Sequence, residues 1–267
     1  MNLRCSRALA VALCAAAIAW PASAQDMMRH LDLSSPDMVS AEMTRAEVET
    51  VLAAATAEKP ADFTGKRLSG LDLSGLDLSG AVFRAARLNK TNLTGAKLDR
   101  AVLDQAWLLE TDLRQASLKE ANLFATQMQR AKLDGADLSR ARIVANLTGA
   151  SLVATSFASA RMGADMKNQS MGLMRAVLMS AKLDRANLRG VDLSRADLQF
   201  ASLKDADLTD ASLAGADLGG ADFAGATVAG VDFTGADLTS TRLVGAVGLD
   251  AAKNLDKAQN LSRAIRD

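Results

Sequence analysis

From Phe63 onward a large apolar residue returns at every fifth position: Phe63, Leu68, Leu73, Leu78, Phe83, Leu88, and so on through Met128 and Leu138 to Ile143. One residue is then missing, and the series continues at Leu147, Leu152, Phe157 and Met162. After a blurred stretch it resumes at Leu173 and runs by fives to Leu243. The deletion and the later insertion cancel, so the second long run keeps the phase of the first. Two positions before each large residue stands a small one, mostly Ala, as at Ala96, Ala136, Ala186 and Ala236. The position between is polar, often Asp, Asn or Arg, and the two positions after are polar, small or Gly.

A period of five fits neither the 3.6 of a helix nor the 2.0 of a strand. A helix would spread these leucines around its whole surface, and a flat strand would send alternate ones to opposite faces. A chain that turns a corner in every repeat can point Leu and Ala inward each time. Such coils stack, and the leucines of one coil rest on those of the next.

Segments such as Ala-Asp-Leu-Ser-Arg (136–140), Ala-Asn-Leu-Arg-Gly (186–190) and Ala-Asp-Leu-Thr-Asp (206–210) closely resemble the pentapeptide repeat family, over roughly residues 61–247. The resemblance implies an all-β fold: a right-handed quadrilateral parallel β-helix with four repeats per coil, roughly nine coils and a rod of about 43 Å at strand spacing. Residues twenty apart then stack, which puts Phe63, Phe83 and Phe223 on one face.

A solenoid has two open edges that need covering. Ser35-Pro36-Asp37 is a helix start, and Thr44 with Glu47 offers a capping box, so a short helix is expected over 37–58, ended by Lys59-Pro60. Met43, Ala46, Val48, Val51 and Leu52 give it an apolar side. Residues 248–267, with Leu255, Leu261 and Ile265 among charges, read as a small C-terminal cap or helix. Residues 163–172 lack the central Leu and must house one extra residue, so a bulge or loop is expected there.

The first 24 residues have the form of a secretory signal. Arg4 and Arg7 precede the apolar run Ala8 to Trp20, and Pro21-Ala22-Ser23-Ala24 places small residues where a signal peptidase cuts. Cleavage after Ala24 removes both cysteines, Cys5 and Cys14, and yields a periplasmic or secreted protein with no stable membrane insertion. Residues 25–60 are then the N-terminal cap segment.

Composition sharpens the picture. Aromatics are 3% of the 267 residues and Tyr is absent, as a narrow interior filled by Leu and Ala requires. The 31 basic and 31 acidic residues cancel, which argues against a nucleic-acid binder. The total hides a polarity, however. Residues 61–190 carry 19 basic and 12 acidic side chains, whereas 191–245 carry 3 and 9. Asp197, Asp217 and Asp237 fall twenty apart, so the family geometry stacks them into a column that could attract a cation or a basic partner.

The mature chain has one His, His30, and no Cys, which leaves no triad, no thiol nucleophile and no Cys/His metal spacing. No catalytic residue, cofactor or enzyme activity is expected. Met162, Met166, Met171, Met174 and Met179 form a local cluster, with Met27, Met28 and His30 as a second. Thioethers suit Cu(I), although flexible Met also fills an irregular coil. Three readings of function follow. The first is a non-enzymatic exported scaffold that binds another protein, with a homodimer compatible. The second is the DNA mimicry through which some pentapeptide repeat proteins engage type II topoisomerases; the signal sequence and the basic first part of the rod oppose it. The third is Met-based copper binding in the periplasm.

Overall fold

The computed structural model describes residues 32–164 and 174–266. Its body is a four-sided parallel β-helix. Successive coils are bridged at the position before each central Leu, twenty residues apart: Asp62 to Val82 to Val102, Arg67 to Arg87 to Trp107, Asp72 to Asn92 to Asp112, Asp77 to Lys97 to Ser117. We name the four faces A to D by these columns in that order. Inside, the central Leu or Phe and the preceding Ala of every repeat are buried in one continuous core, from Ala61 to Leu243.

One repeat shows why the unit is five residues long with a polar second position. The Val82 N–H donates back to the Ala61 carbonyl at 2.8 Å, and the Phe63 N–H donates forward to the Val82 carbonyl at 2.7 Å. The Gly65 N–H donates forward to Arg84 at 2.8 Å, and the Lys66 N–H closes the corner on Phe63 at 3.0 Å. Only the N–H of the residue after the central one lacks a carbonyl. It takes a side chain instead: Thr64 N–H donates to Asp62 Oδ1 at 2.9 Å. Every donor in the repeat is thereby satisfied, as backbone polar groups packed against a buried apolar core require.

The same orphan N–H is capped in a second way where the polar position is not Asp or Asn. Below Ser117, Ser151 and Ser202, the N–H groups of Lys119, Val153 and Lys204 donate to Asp99, Asp134 and Asp184 of the preceding coil, at 3.0–3.2 Å. The consensus acid is therefore a backbone cap first and a charge second. Where Thr replaces the inward Ala, its hydroxyl also finds backbone: Thr91, Thr111 and Thr126 donate to Leu68, Leu88 and Leu103 carbonyls at 2.9, 2.6 and 2.9 Å.

The regular corner fails at one place, between faces A and B. There the chain runs extended in β1 (Asn122–Gln127) and β2 (Arg142–Asn146), paired in parallel with a register shift between Phe124 and Gln127. The shift absorbs the residue missing before Leu147. Phe124 is drawn into the ladder opposite Val144, and Asp104 Oδ1 and Asn122 Oδ1, the two oxygens placed to cap its N–H, are buried without partners. Arg142 covers the Phe124 ring, its guanidinium carbon 4.3 Å from the centroid.

One coil later the same corner carries the insertion, and it is larger than the period suggested. Arg142 pairs with Arg161, but Asn146 pairs with Val177. The step from Met162 on face A to Leu178 on face B thus takes sixteen residues where five is the rule, and eleven are extra. With the one-residue deletion the net offset is ten residues, two repeats, half a coil. The five-residue phase survives and the twenty-residue phase does not. This corrects the expected aromatic face. Phe63 and Phe83 do stack, with centroids 5.1 Å apart at 13°. Phe223 lies on face C, in the column that runs from Asp72 through Ser202 to Asp222, and Phe233 lies on face A in its place.

Both ends are closed, in ways that differ from the expectation. The N-terminal cap is two helices, α1 (Pro36–Val39) and α2 (Arg45–Ala53), not one. Between them Ala41 pairs antiparallel with Leu68, and Glu42 N–H donates to Arg67 at 2.9 Å, so the chain spends two residues covering the edge of the first coil. The Thr44–Glu47 capping box then starts α2, which buries Val48 against the core. At the other end the chain does not leave the solenoid. Residues 248–265 form a last coil of six-residue units, each with a 3-10 turn: Leu249–Ala251, Leu255–Lys257 and Leu261–Arg263. Lys253, Gln259 and Ile265 continue columns A, B and C, while Leu249, Leu255 and Leu261 pack on the core end. Gly or Asn in the left-handed region begins each unit, at Gly248, Asn254 and Asn260.

Candidate functional site

Face B is the one whose outward column runs from basic to acidic along the rod. Its outward column reads Arg67, Arg87, Trp107, Gln127, Asn146, Val177, Asp197, Asp217, Asp237. The three aspartates expected to stack do stack, each bridged to the next. Their surroundings are unequal. Asp197 is 5% exposed and holds Arg175 at 2.9 Å, so its charge is matched. Asp217 accepts Gly219 N–H at 3.1 Å and Gln199 Nε2 at 2.5 Å, and makes no ion pair among the described residues. Asp237 accepts Asn260 Nδ2 at 2.9 Å and Thr239 N–H and Oγ1 at 2.9 and 2.7 Å. The Asn260 amide, then the Thr239 hydroxyl, hold the Asp237 carboxyl below the usual aspartate range, so it is ionised near neutrality.

Beside these two carboxylates is a groove of about 310 Å³, lined by Gln199, Phe200, Asp217, Gly219, Gly220, Asp237, Thr239 and Ser240. Gly219 and Gly220 line it without side chains of their own. Phe200 forms a wall. It is 65% exposed, the most exposed large apolar side chain among the described residues. Its ring rests on Gly220 so closely that a Cβ there would lie 2.7 Å from Cδ1. The sequence reading did not single out Phe200. The signal was available: an aromatic occupies the fifth position of a repeat, which this chain otherwise fills with Gly, small or polar residues.

The methionine cluster is not assembled by the described residues. Met162 is fully buried as the central residue of a face A repeat, while Met174 and Met179 are partly exposed on the far side of the insertion. Met166, Met171, Met27, Met28, His30 and the leader lie outside the described residues, as does most of 163–172. Among the described residues no three His, Cys, Asp or Glu side chains are grouped to hold a metal ion, and no helix is long and apolar enough to cross a membrane.

A four-sided parallel β-helix with Leu and Ala in alternate inward positions and Asx caps at many of its corners defines the class of protein. The pentapeptide repeat model matches residues 61–100, 96–140, 173–210 and 211–247, and the chain belongs to that family, with its right-handed β-helical fold. Among solved structures it is similar to HetL, a pentapeptide repeat protein involved in heterocyst differentiation regulation from the cyanobacterium Nostoc sp. strain PCC 7120. The two share 30% identity over 84% of this chain and 95% of HetL, with a TM-score of 0.69. It also matches full-length QnrB1, a plasmid-mediated fluoroquinolone resistance protein, at 14% identity over 77% of this chain and 91% of that one, with a TM-score of 0.47. No curated protein matches the chain.

Proposed function

We propose that this protein is a non-enzymatic, exported scaffold that binds another protein through face B. The observation that carries the reading is that the outward column of face B runs from basic to acidic along the rod and ends in two aspartates beside an open groove. A rigid surface of this kind recognises shape and charge without loop rearrangement. The leader supports export: its basic start, apolar run and small residues before Gln25 suit cleavage after Ala24. The groove offers carboxylates already engaged as backbone caps. Duplex mimicry is the weaker reading, because Arg67 and Arg87 open the column that a mimic would keep acidic.

The test is fractionation of cells expressing the full chain, with N-terminal sequencing of the product. The proposal expects a periplasmic or secreted protein that begins at Gln25. A cytoplasmic protein retaining Met1 or Asn2 would overturn the export half. Inhibition of gyrase supercoiling by the purified rod would overturn the ranking of scaffold over mimic.

A further inference from the structure

We infer that the Phe200 groove is an arginine-binding slot, so that the partner engages face B through an exposed arginine on an extended segment; this rests on the scaffold reading. Three features of the groove point to the same side chain. Its wall is an exposed aromatic ring, fixed against Gly220 and open to solvent. Its column supplies the carboxylates of Asp217 and Asp237, and the nearest ion-paired one, Asp197, already has its cation. Gly219 and Gly220 complete its lining and put no side chain into it.

A guanidinium satisfies all three at once. It stacks on an aromatic face and donates in its own plane to carboxylates at the edge, whereas an ammonium has no plane to stack. The molecule contains the arrangement already, since Arg142 lies 4.3 Å above the Phe124 ring on the neighbouring corner. Charge complementarity extends beyond the slot: residues 191–245 carry nine acidic against three basic side chains. A second copy of this chain fits the slot less well. Arg67, at the basic end of face B, is already paired with Asp37 and Glu42.

The experiment measures binding of fluorescent hexa-arginine and hexa-lysine peptides to the mature rod in about 0.15 M salt. The expected result is binding of hexa-arginine about fivefold tighter than hexa-lysine, the scale of one desolvated cation–π contact. Phe200→Ala should abolish that preference and leave hexa-lysine binding unchanged. The double change Asp217→Asn with Asp237→Asn should weaken both peptides about tenfold or more. Asp72→Asn, on face C at the far end, is the folded control and should leave both unaffected. Equal affinity for the two peptides, or a preference that survives Phe200→Ala, overturns the inference. So does concentration-dependent dimerisation of the rod that Phe200→Ala removes, because the occupant would then be a second copy. The two failures are distinguishable: a protein partner cross-linked to face B in cells, with no arginine preference in vitro, sinks the slot and keeps the scaffold, whereas no adduct from face B in cells sinks the scaffold.

Discussion

Excision of residues 163–173 tests the register of the rod. The deletion joins Met162 to Met174 and makes the step to Leu178 five residues, the length of every regular corner. Arg175 then takes the fifth position, where Arg100, Arg140, Arg185 and Arg195 already sit with φ near +60°. Its N–H replaces that of Ala164, which donates to Ser194 at 3.1 Å, and its ion pair with Asp197 at 2.9 Å is kept. The buried central residues on either side, Met162 and Leu178, are both kept. The gain is the closure entropy of an eleven-residue loop, (3/2)RT ln n, or about 2 kcal/mol. The assay is the urea midpoint by circular dichroism, with Asn168 alone deleted as the comparator. Three regular pentads across 163–177 would make removal of one residue the stabilising change. The observed register predicts that this single deletion shifts stability by only a few tenths of a kcal/mol, as a small change in loop length does. A collapsed or strongly destabilised 163–173 deletion, beside a stabilised Asn168 deletion, would refute the pairing of Asn146 with Val177.

Other consequences follow from single side chains. Asp137→Ala removes the cap on the Ser139 N–H, made at 2.9 Å, and should cost about 1 kcal/mol in a denaturation series, while Asp137→Asn, which keeps an oxygen there, should cost clearly less. Gly235→Ala meets nothing within 4 Å and should cost about 1 kcal/mol for its φ of +65° alone; Gly248→Ala places a Cβ 3.0 Å from the Ala229 backbone and should cost measurably more. The carboxyls of Asp62, Asp72, Asp77 and Asp232 are held below the usual aspartate value, in each case chiefly by the hydroxyl two residues on. A depressed folded pKa gives stability that is full above the unfolded value and is lost as pH falls through the folded one. The thermal midpoint should therefore be flat from about pH 5 to 7 and fall progressively below about pH 4. A midpoint that rises on acidification would show that repulsion within the acid columns outweighs the caps.

The five-residue unit was legible in the sequence because it is local, each unit carrying its own inward pair; that four units make a coil came from the resemblance to the family. The stacking of Asp197, Asp217 and Asp237 was legible for the same reason, since all three lie after the insertion and share an undisturbed register. Phe223 was misplaced because it is related to Phe63 across the insertion, and a period of five cannot report how many repeats are bypassed. The N-terminal helix was overextended because Ala41 leaves helical geometry to pair with Leu68, a contact between residues far apart in sequence. The last coil was hidden by a change of period from five to six, with Gly248, Asn254 and Asn260 as its markers. Phe200 was passed over because it stands outside the inward series, and only the adjoining glycines show that its ring borders a groove.

The central claim is that face B, at its acidic end, is the surface this rod presents to a partner. Its most direct measurement is site-specific photo-crosslinking in cells, with a benzophenone side chain at Ser240, on the rim of the groove, and at Ser79, exposed on face D at the other end. A discrete protein adduct from position 240 that is absent from position 79 is the predicted result; adducts from 79 alone, or the same adducts from both, would contradict it.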